Sequence, residues 1–330
     1  LKQYSFYNNK IDHFYNLPQK LTNFNSYIEI ENQAWVVKRY QKNQVTQRLK
    51  LSHQIQSILF QDGFPCAKLE NSRTGATFVE FNGFLYSIHR WINGVHLSPF
   101  NNKNNISIHA IKNVAKALGS FHKIVKYKFD SPVSDSMQLS AATIVGGAYD
   151  QANSILQRKK FQLSSFDKLR LKIRKNDFDK WIINRLPFIL EIAKSIKIAC
   201  QQKLSLFNEG IVTHNDINWE NLIFNEKQKL LAIIDFDNLI VAPMVYEVGA
   251  AAIIIAGPDK VKIFQFLDSY SKNSGFHCDI EAIKISMSIK CLHSMLYSFQ
   301  SYMNGQVDNL KFLSNWCRYL DKCLEFTIKE

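Results

Sequence analysis

The chain has 330 residues, which is long for one hydrophobic core, so its length favours a molecule of two lobes or two domains. Hydrophobic residues make up 46% of the chain and charged residues 21%, values that are typical of globular proteins and exclude a largely disordered chain. The net charge of +13 is compatible with an acidic partner, such as a nucleic acid, an anionic lipid or a phosphate-bearing ligand.

The first predicted elements are a β-hairpin and a helix. Tyr27–Ile30 and Ala34–Tyr40 have the alternation and composition of strands, and the polar residues between them predict a turn. Apolar residues then recur at helical spacing in Gln47–Gln61, until Asp62-Gly63 ends the helix.

A second hairpin follows, and the pattern of the chain changes after it. Thr77–Phe81 and Phe84–Ile92 flank Asn82-Gly83, a dipeptide that is typical of tight hairpin turns. Helical patterns dominate beyond this hairpin. We therefore expect a small β-rich lobe over residues 1–93 and a large helical lobe over residues 94–330.

The second part contains long helical patterns and one short hairpin. The helical patterns cover Ile106–Val125, Ala141–Lys160, Phe178–Leu206 and Val245–Gly257. The apolar run Val248–Gly257 is too short to span a bilayer, and the first residues lack the apolar core of a signal peptide. We therefore expect a cytoplasmic protein that makes no membrane contact.

The cysteines and the densest basic segment do not indicate a site. The 6 cysteines lie far apart without a Cys-x-x-Cys pair, so we expect buried or free thiols. The basic segment Gln157–Lys175 also has an apolar side, which favours a solvated helical face. No nucleic-acid partner is therefore expected.

Polar side chains surround the predicted hairpin that joins Asn221–Phe224 to Leu230–Ile234. A short antiparallel hairpin brings its two open ends together, so Asn221 and Asp235 are expected to lie close to each other, with Asp216 on the preceding loop. An amide oxygen and a carboxylate beside a second carboxylate suit Mg²⁺ better than zinc. Each of these residues alone is also typical of turns, but the set of three favours a site.

The pattern His-x-Asp-x4-Asn, followed by a hairpin and Asp235, resembles the catalytic core of protein kinases and of the aminoglycoside phosphotransferase/choline kinase superfamily. The resemblance implies an α+β, protein-kinase-like two-lobed fold. Residues 1–93 would then form a nucleotide-binding N-lobe with a small antiparallel β-sheet and one helix. Residues 94–330 would form a large, mainly helical C-lobe for catalysis and substrate binding. The segment Asp235–Glu247 is closest to homoserine kinase type II-like members, and WVVKRY and HRWING also resemble spore-coat-kinase-like members.

The resemblance also implies a role for each residue of the motif. Asp216 would accept or orient the proton of the substrate hydroxyl, and His214 would brace the loop that carries it. Asn221 and Asp235 would hold Mg²⁺ on the phosphates of ATP.

The small lobe would supply the rest of the nucleotide site. Lys38 would direct its ammonium group at the α- and β-phosphates, while strand alternation would turn Arg39 to the opposite face. The first hairpin has no Gly-rich loop, so phosphate contacts would come from Asn25 or Ser26, and the hinge would hold adenine at Arg90, Trp91 and Ile92. The predicted helix has no Asp or Glu to hold Lys38. Its partner is therefore left open, with Ser52, His53 or Gln54 at the expected position.

The resemblance therefore implies an ATP- and Mg²⁺-dependent kinase that phosphorylates a hydroxyl of a small molecule, such as an amino alcohol, a sugar or an aminoglycoside. Two alternatives remain open. One is a Ser/Thr protein kinase of the type II-like branch, although no activation-loop pattern supports it. The other is a non-catalytic nucleotide-binding or structural kinase-like protein. The sequence leaves the acceptor and the oligomeric state undecided.

Overall fold

The computed structural model describes residues 3–4, 10–17, 23–42, 46–100, 106–129, 138, 141–157, 163–207, 210–277, 279–307 and 309–329. Their strands are β1 (His13–Asn16), β2 (Phe24–Ile30), β3 (Gln33–Arg39), β4 (Leu69–Glu70), β5 (Val79–Phe81), β6 (Phe84–Arg90), β7 (Gly210–Thr213), β8 (Leu222–Phe224), β9 (Leu230–Ile233) and β10 (Ile240–Pro243). Their helices are α1 (Thr46–Gln61), α2 (Ile108–Lys128), α3 (Ala141–Leu156), α4 (Ser165–Leu171), α5 (Asp177–Gln201), α6 (Met244–Ala256), α7 (Lys260–Ser274), α8 (Ile280–Met303) and α9 (Leu310–Lys329). Short 3₁₀ turns occur at Leu204–Phe207, Trp219–Asn221 and Phe236–Asn238.

The chain forms two compact units. One contains Leu1–Pro132 and His214–Leu239, and the other contains Val133–Thr213 and Ile240–Glu330. The boundary that we expected at residue 93, between a nucleotide-binding lobe and a catalytic lobe, stays a prediction.

The first unit is built around an antiparallel sheet of order β1-β2-β3-β6-β4, with β5 paired to β6. Residues directly opposite in neighbouring strands share a face. Lys38 lies opposite Asn25 and Ser87, so these three side chains share one face. The other face carries a buried apolar cluster, which consists of Tyr4, Ile28, Ile30, Trp35 and Ile88.

The hairpin β8–β9 is fastened to the segments that flank the sheet. Val95 and Phe224 exchange two backbone hydrogen bonds of 2.8 and 2.9 Å, and Ile233 N donates to Pro65 O at 2.8 Å. A Cβ on Gly94 would come within 2.5 Å of Ile223 Cγ2 and 2.6 Å of Phe224 O, so only glycine permits this approach. Residues 214–239 therefore belong to the unit that contains Lys38.

The second unit is mainly helical, with one short antiparallel pair, β7–β10. Every residue of α6 is buried, which agrees with the apolar run in its sequence. A Cβ on Gly249 of α6 would lie 2.6 Å from Ser286 Cβ and 2.8 Å from Ile283 O, so α6 and α8 are in close contact at this point.

A buried carboxylate links α5 to its surroundings in the second unit. Asp179 is fully buried, and it accepts hydrogen bonds from Lys172 Nζ at 2.7 Å and from Tyr302 Oη at 2.8 Å. It also accepts from the backbone N of Asn176 at 2.8 Å, as half of a capping box that begins α5. Although burial raises the pKa of Asp179, these hydrogen bonds outweigh it and hold the pKa below its usual range.

Both hairpins and the helix predicted for the first 93 residues are confirmed within a few residues at their ends. The long helical patterns are confirmed as α2, α3, α5 and α6, although residues 158–160 of the predicted third helix lie outside the described residues. Residues 158–162 of the basic segment also lie outside the described residues.

Two further expectations from the sequence concern the state of the cysteines and the length of the apolar helices. Five cysteines are buried and free, as expected, namely Cys66, Cys200, Cys291, Cys317 and Cys323. Cys278 lies outside the described residues. In the part of the chain that the structure describes, no helix has both the length and the apolar character needed to cross a membrane.

Candidate active site

Asp216 lies at the centre of a group of asparagine side chains. Asn218 Nδ2 donates to Asp216 Oδ1 at 2.8 Å, and Asn221 Nδ2 donates to Asp216 Oδ2 at 3.0 Å. Asn238 Nδ2 lies 3.4 Å from the same Oδ2 atom. These amides fix the direction of the carboxylate without placing a positive charge on it.

Asn218 acts at both ends of its side chain. While its nitrogen donates to Asp216, its Oδ1 accepts from the backbone N of Glu220 at 2.9 Å and of Asn221 at 3.2 Å. Asn218 thereby caps the 3₁₀ turn Trp219–Asn221. The same side chain thus positions both Asp216 and the residue predicted to bind the metal.

Asn221 and Asp235 lie at the same end of the hairpin β8–β9. Leu222 pairs with Ile233, and the next ladder bond joins Ile234 N to Asn221 O at 2.9 Å. Asp235 follows directly, and its side chain is one third exposed. The side-chain nitrogen of Asn221 donates to Asp216, which leaves Oδ1 for a cation. An amide oxygen beside a carboxylate is a donor pair that fits Mg²⁺.

Two residues of the site have left-handed backbone conformations that are uncommon outside glycine. Asn215 has a φ of 64° and Asp235 has a φ of 68°. Asn and Asp tolerate this region better than most residues, and such conformations concentrate at functional sites.

His214 is buried and contacts the hairpin rather than open space. Its Nε2 lies 3.1 Å from Ile234 O, and its ring packs 4.9 Å from the ring of Phe236. The ring of Phe121 in α2 lies 6.4 Å from both the His214 ring and the Phe236 ring. These contacts join the loop that carries Asp216 to the segment after β9 and to α2, and the bracing role of His214 stays a prediction.

Lys38 is buried between two carboxylates. Its Nζ lies 2.7 Å from Asp235 Oδ1 and 2.7 Å from Asp237 Oδ2. Burial lowers the pKa of Lys38, but the two carboxylates raise it more, so the ammonium group stays charged. Burial also raises the pKa of Asp237, and the charge of Asp235 adds to this rise against the attraction of Lys38.

The turn that carries Asp237 is held from two sides. Asn23 Nδ2 donates to Asp237 Oδ2 at 2.8 Å, and Ser52 Oγ of α1 donates to Phe236 O at 2.9 Å. The sequence expectation placed Ser52, His53 or Gln54 near Lys38. The structure shows that α1 contacts the backbone of the turn and that the turn contacts the lysine.

A buried polar network lies behind Lys38 in the first unit. Tyr40 Oη lies 2.9 Å from Ser87 Oγ and 3.0 Å from His53 Nε2, and Ser87 Oγ lies 2.8 Å from His89 Nε2. Burial and the nearby Lys38 charge lower the pKa of His53 to about 3, and they also lower the pKa of His89. Both imidazoles are therefore neutral at physiological pH.

The residues expected to contact the phosphates lie on different faces of the sheet. Asn25 is directly opposite Lys38, on the same face. Ser26 pairs with Val37 on the other face, and its Oγ donates to Asn16 Oδ1 at 2.8 Å. The structure therefore places Asn25 beside Lys38 but does not bring Ser26 to it.

The three residues expected at the hinge have separate contacts. Arg90 faces away from Lys38, with its guanidinium 4.9 Å from the ring of Trp35. Trp91 N donates to Ala34 O at 3.0 Å, and Ile92 lines an open groove of the same unit.

Alternation turns Arg39 away from Lys38, as predicted. Its guanidinium lies 3.9 Å from the ring of Phe24 and 4.9 Å from the ring of Phe84.

Sequence reasoning missed four residues of this site: Asn23, Asp237, Asn218 and Asn238. Asp237 and Asn218 each follow a predicted site residue by two positions, so the local sequence contained a signal for both. Asn23 and Asn238 reach the site through contacts across long stretches of chain or around a turn, which the sequence pattern does not reveal.

Comparison with known proteins gives both a family and a fold. The sequence model of the phosphotransferase enzyme family (APH) matches residues 16–263, which is more than half of the chain. No curated protein sequence matches the chain.

Several solved structures are similar to the chain. An aminoglycoside phosphotransferase from Alicyclobacillus acidocaldarius has 12% sequence identity and a TM-score of 0.64, over 99% of this chain and 93% of that chain. A choline kinase from Cryptosporidium parvum has 15% identity and a TM-score of 0.62, over 99% and 94%. A spectinomycin phosphotransferase solved with ADP and spectinomycin has 13% identity and a TM-score of 0.60, over 98% and 94%. These structures confirm the predicted α+β, protein-kinase-like two-lobed fold.

Proposed function

Because this chain belongs to the phosphotransferase enzyme family, we propose that it transfers the γ-phosphate of ATP, bound with Mg²⁺, to a hydroxyl group of a small molecule. The family membership confirms the predicted superfamily and the prediction of a phosphotransferase. The homoserine kinase type II-like or spore-coat-kinase-like branch stays a prediction.

The observation that carries this proposal is the convergence of two sets of side chains at one end of β8–β9. Asp216 and Asn221 are hydrogen-bonded to each other, and Asp235 contacts Lys38 from the small sheet. Phosphoryl transfer requires little covalent participation by the protein, so the site must mainly position groups and neutralise charge. One orienting carboxylate, one buried cation and two oxygen ligands meet that requirement.

In this proposal Asp216 orients the acceptor hydroxyl and accepts its proton as the oxygen attacks phosphorus. The asparagine amides keep the carboxylate in one direction, which reduces the reorganisation needed during the reaction. Lys38 donates to the nucleotide phosphates, and Asn221 and Asp235 would hold Mg²⁺. When bound, Mg²⁺ neutralises charge that develops on the phosphates.

The acceptor is proposed to be an amino alcohol, a sugar or an aminoglycoside. Solved structures of similar fold include enzymes named for aminoglycosides, spectinomycin and choline. The net charge of +13 disfavours a polycation through repulsion. Amino alcohols and neutral sugars are therefore the first acceptors to test.

The test is ADP release by the purified chain with ATP and Mg²⁺ against a panel of amino alcohols, sugars, aminoglycosides and a generic protein acceptor. We expect release to depend on one class of small acceptor. Asp216→Asn should lower kcat by about 10²- to 10⁴-fold, the usual range for a lost general base. Glu226→Gln, which removes an exposed charge from the β8–β9 turn, is the matched control and should have no effect.

Three results would contradict the proposal. ATP binding without transfer to any acceptor would favour a non-catalytic nucleotide-binding protein. Transfer to the protein acceptor alone would favour a Ser/Thr protein kinase. Full activity in Asp216→Asn or Asp235→Asn would show that these residues do not form the active site.

A further inference from the structure

Lys38 has two carboxylate partners, and the proposed function gives only one of them, Asp235, a second task, which is to bind Mg²⁺. Asp235 and Asp237 each lie 2.7 Å from Lys38 Nζ. If Asp235 binds Mg²⁺, its oxygens must turn toward the metal. An ammonium held by Asp235 alone would then have only the nucleotide phosphates as partners, and no carboxylate of the protein would hold it in position.

We propose that Asp237 is the positioning residue for Lys38, and that it leaves Asp235 available to the metal. This inference rests on the proposed function, since it assigns a partner to the proposed nucleotide-binding lysine. Asp237 would act through Lys38 and would not itself bind Mg²⁺ or substrate.

The burial of the two carboxylates supports this division. The side chain of Asp237 is 14% exposed, whereas that of Asp235 is 33% exposed. The less exposed carboxylate suits a permanent ion pair, and the more exposed one can reach a bound cation.

The contacts of Asp237 also favour a fixed position. Its Oδ2 accepts from Asn23 as well as Lys38, and it lies in the short turn Phe236–Asn238. The turn is held by the hydrogen bond from Ser52 to Phe236 O and by the buried Phe236 ring. A side chain held at both its backbone and its carboxylate can in turn hold Lys38.

Helix α1 does not supply this partner. It contains no Asp or Glu between Thr46 and Gln61, and its buried polar residue nearest the turn, Ser52, donates to a backbone oxygen instead. The turn therefore provides the negative charge, and α1 provides its support.

The test measures how strongly Mg²⁺ increases the affinity for ADP, by fluorescence titration of a labelled ADP with and without the metal. In Asp237→Asn, Lys38 keeps only Asp235, so Mg²⁺ must compete with the ammonium for that carboxylate. We expect the Mg²⁺ enhancement to fall about tenfold, the size of one lost charge-assisted hydrogen bond. ADP affinity without metal should not weaken, because an anion near the phosphates has been removed.

Conservative and indirect variants give independent readouts. Asp237→Glu keeps the charge and should retain most of the enhancement. Asn23→Ala leaves both carboxylates intact but loosens Asp237, so a smaller fall of about threefold is expected, and this variant serves if Asp237→Asn does not fold. Glu226→Gln should match the wild-type chain.

A double-mutant cycle with Lys38→Met separates positioning from metal binding. If Asp237 acts through Lys38, Asp237→Asn has no further effect on the Mg²⁺ enhancement when Lys38 is already methionine. A further fall in the double variant would show that Asp237 binds the metal directly and would overturn the inference. If Mg²⁺ increases the ADP affinity of the wild-type chain and the increase is unchanged in Asp237→Asn, the inference is also overturned.

The inference and the proposed function fail in different ways. A wild-type chain with no Mg²⁺-dependent ADP binding would contradict the proposed function. Normal Mg²⁺-dependent binding that is insensitive to Asp237 would contradict only the positioning role.

Discussion

The double hydrogen bonding of Asn218 allows its two functions to be separated by substitution. Asn218→Ser keeps an oxygen that can cap the turn Trp219–Asn221 but loses the donor to Asp216. Asn218→Asp keeps the cap, loses the same donor and adds a negative charge near the carboxylate. Because Ser and Asp are both good capping residues, we expect either variant to change the free energy of unfolding by less than about 1 kcal/mol.

The magnitudes for activity follow from the contact to Asp216. The lost hydrogen bond joins an amide to a charged group at 2.8 Å, a type worth about 1.5–3 kcal/mol. Asn218→Ser should therefore lower kcat/KM by about 10- to 100-fold. In Asn218→Asp, two carboxylates come within about 4 Å, and partial exposure reduces their repulsion to roughly 2 kcal/mol. The combined loss predicts a fall of about 10³-fold.

The assay is ADP release at saturating ATP and Mg²⁺ with the acceptor found in the panel, together with urea unfolding of each variant. The order of activities, wild type above Asn218→Ser above Asn218→Asp at nearly constant stability, is the expected result. Activity of Asn218→Asp within threefold of wild type would refute the view that this amide orients Asp216. Equal losses in both variants, matched by equal losses of stability, would refute it as well.

Three further predictions concern stability and are checked by urea unfolding. Gly249→Ala should destabilise the chain by about 1–3 kcal/mol because its Cβ overlaps α8, whereas Gly146→Ala, whose Cβ meets only an ordinary contact at 3.5 Å, should be neutral or stabilising. Asp179→Asn should cost about 2 kcal/mol at pH 7. Because the pKa of Asp179 is depressed in the folded chain, its carboxylate stabilises the fold above the ordinary Asp pKa of about 3.9, and this stabilisation is lost as the pH falls through the folded pKa. The difference in free energy of unfolding between wild type and Asp179→Asn should therefore narrow at pH 3. Ser52→Ala should cost about 1–3 kcal/mol because it leaves the buried Phe236 carbonyl without this donor, and no loss would contradict the anchoring of the turn.

The sequence predicted the elements whose signals are local. Asn82-Gly83 and the helical spacing of Gln47–Gln61 depend on neighbouring residues, and both elements formed as expected. Strand β1 was missed because its four residues are all exposed, so they carry no alternation between buried and solvent-facing positions.

The site was predictable as far as the hairpin geometry extended. Asn221 and Asp235 meet because a hairpin closes on itself, which sequence alone can establish. The contact of Lys38 with Asp235 spans 197 residues and that with Asp237 spans two more, so no local pattern could select either partner. The choice between Asn25 and Ser26 required the strand register, because alternation places one of them beside Lys38 and turns the other away.

The network behind Lys38 is built from groups that can each donate or accept a hydrogen bond. The hydroxyls of Tyr40 and Ser87 can rotate their protons, whereas Gln56 Nε2, which donates to Ala67 O at 2.8 Å, lies 3.4 Å from His89 Nδ1 and can only donate to it. His89 therefore carries its proton on Nε2, and the hydrogen bonds run in one direction, from His89 through Ser87 and Tyr40 to His53. The interior behind Lys38 thus has a fixed polarity as well as a fixed shape.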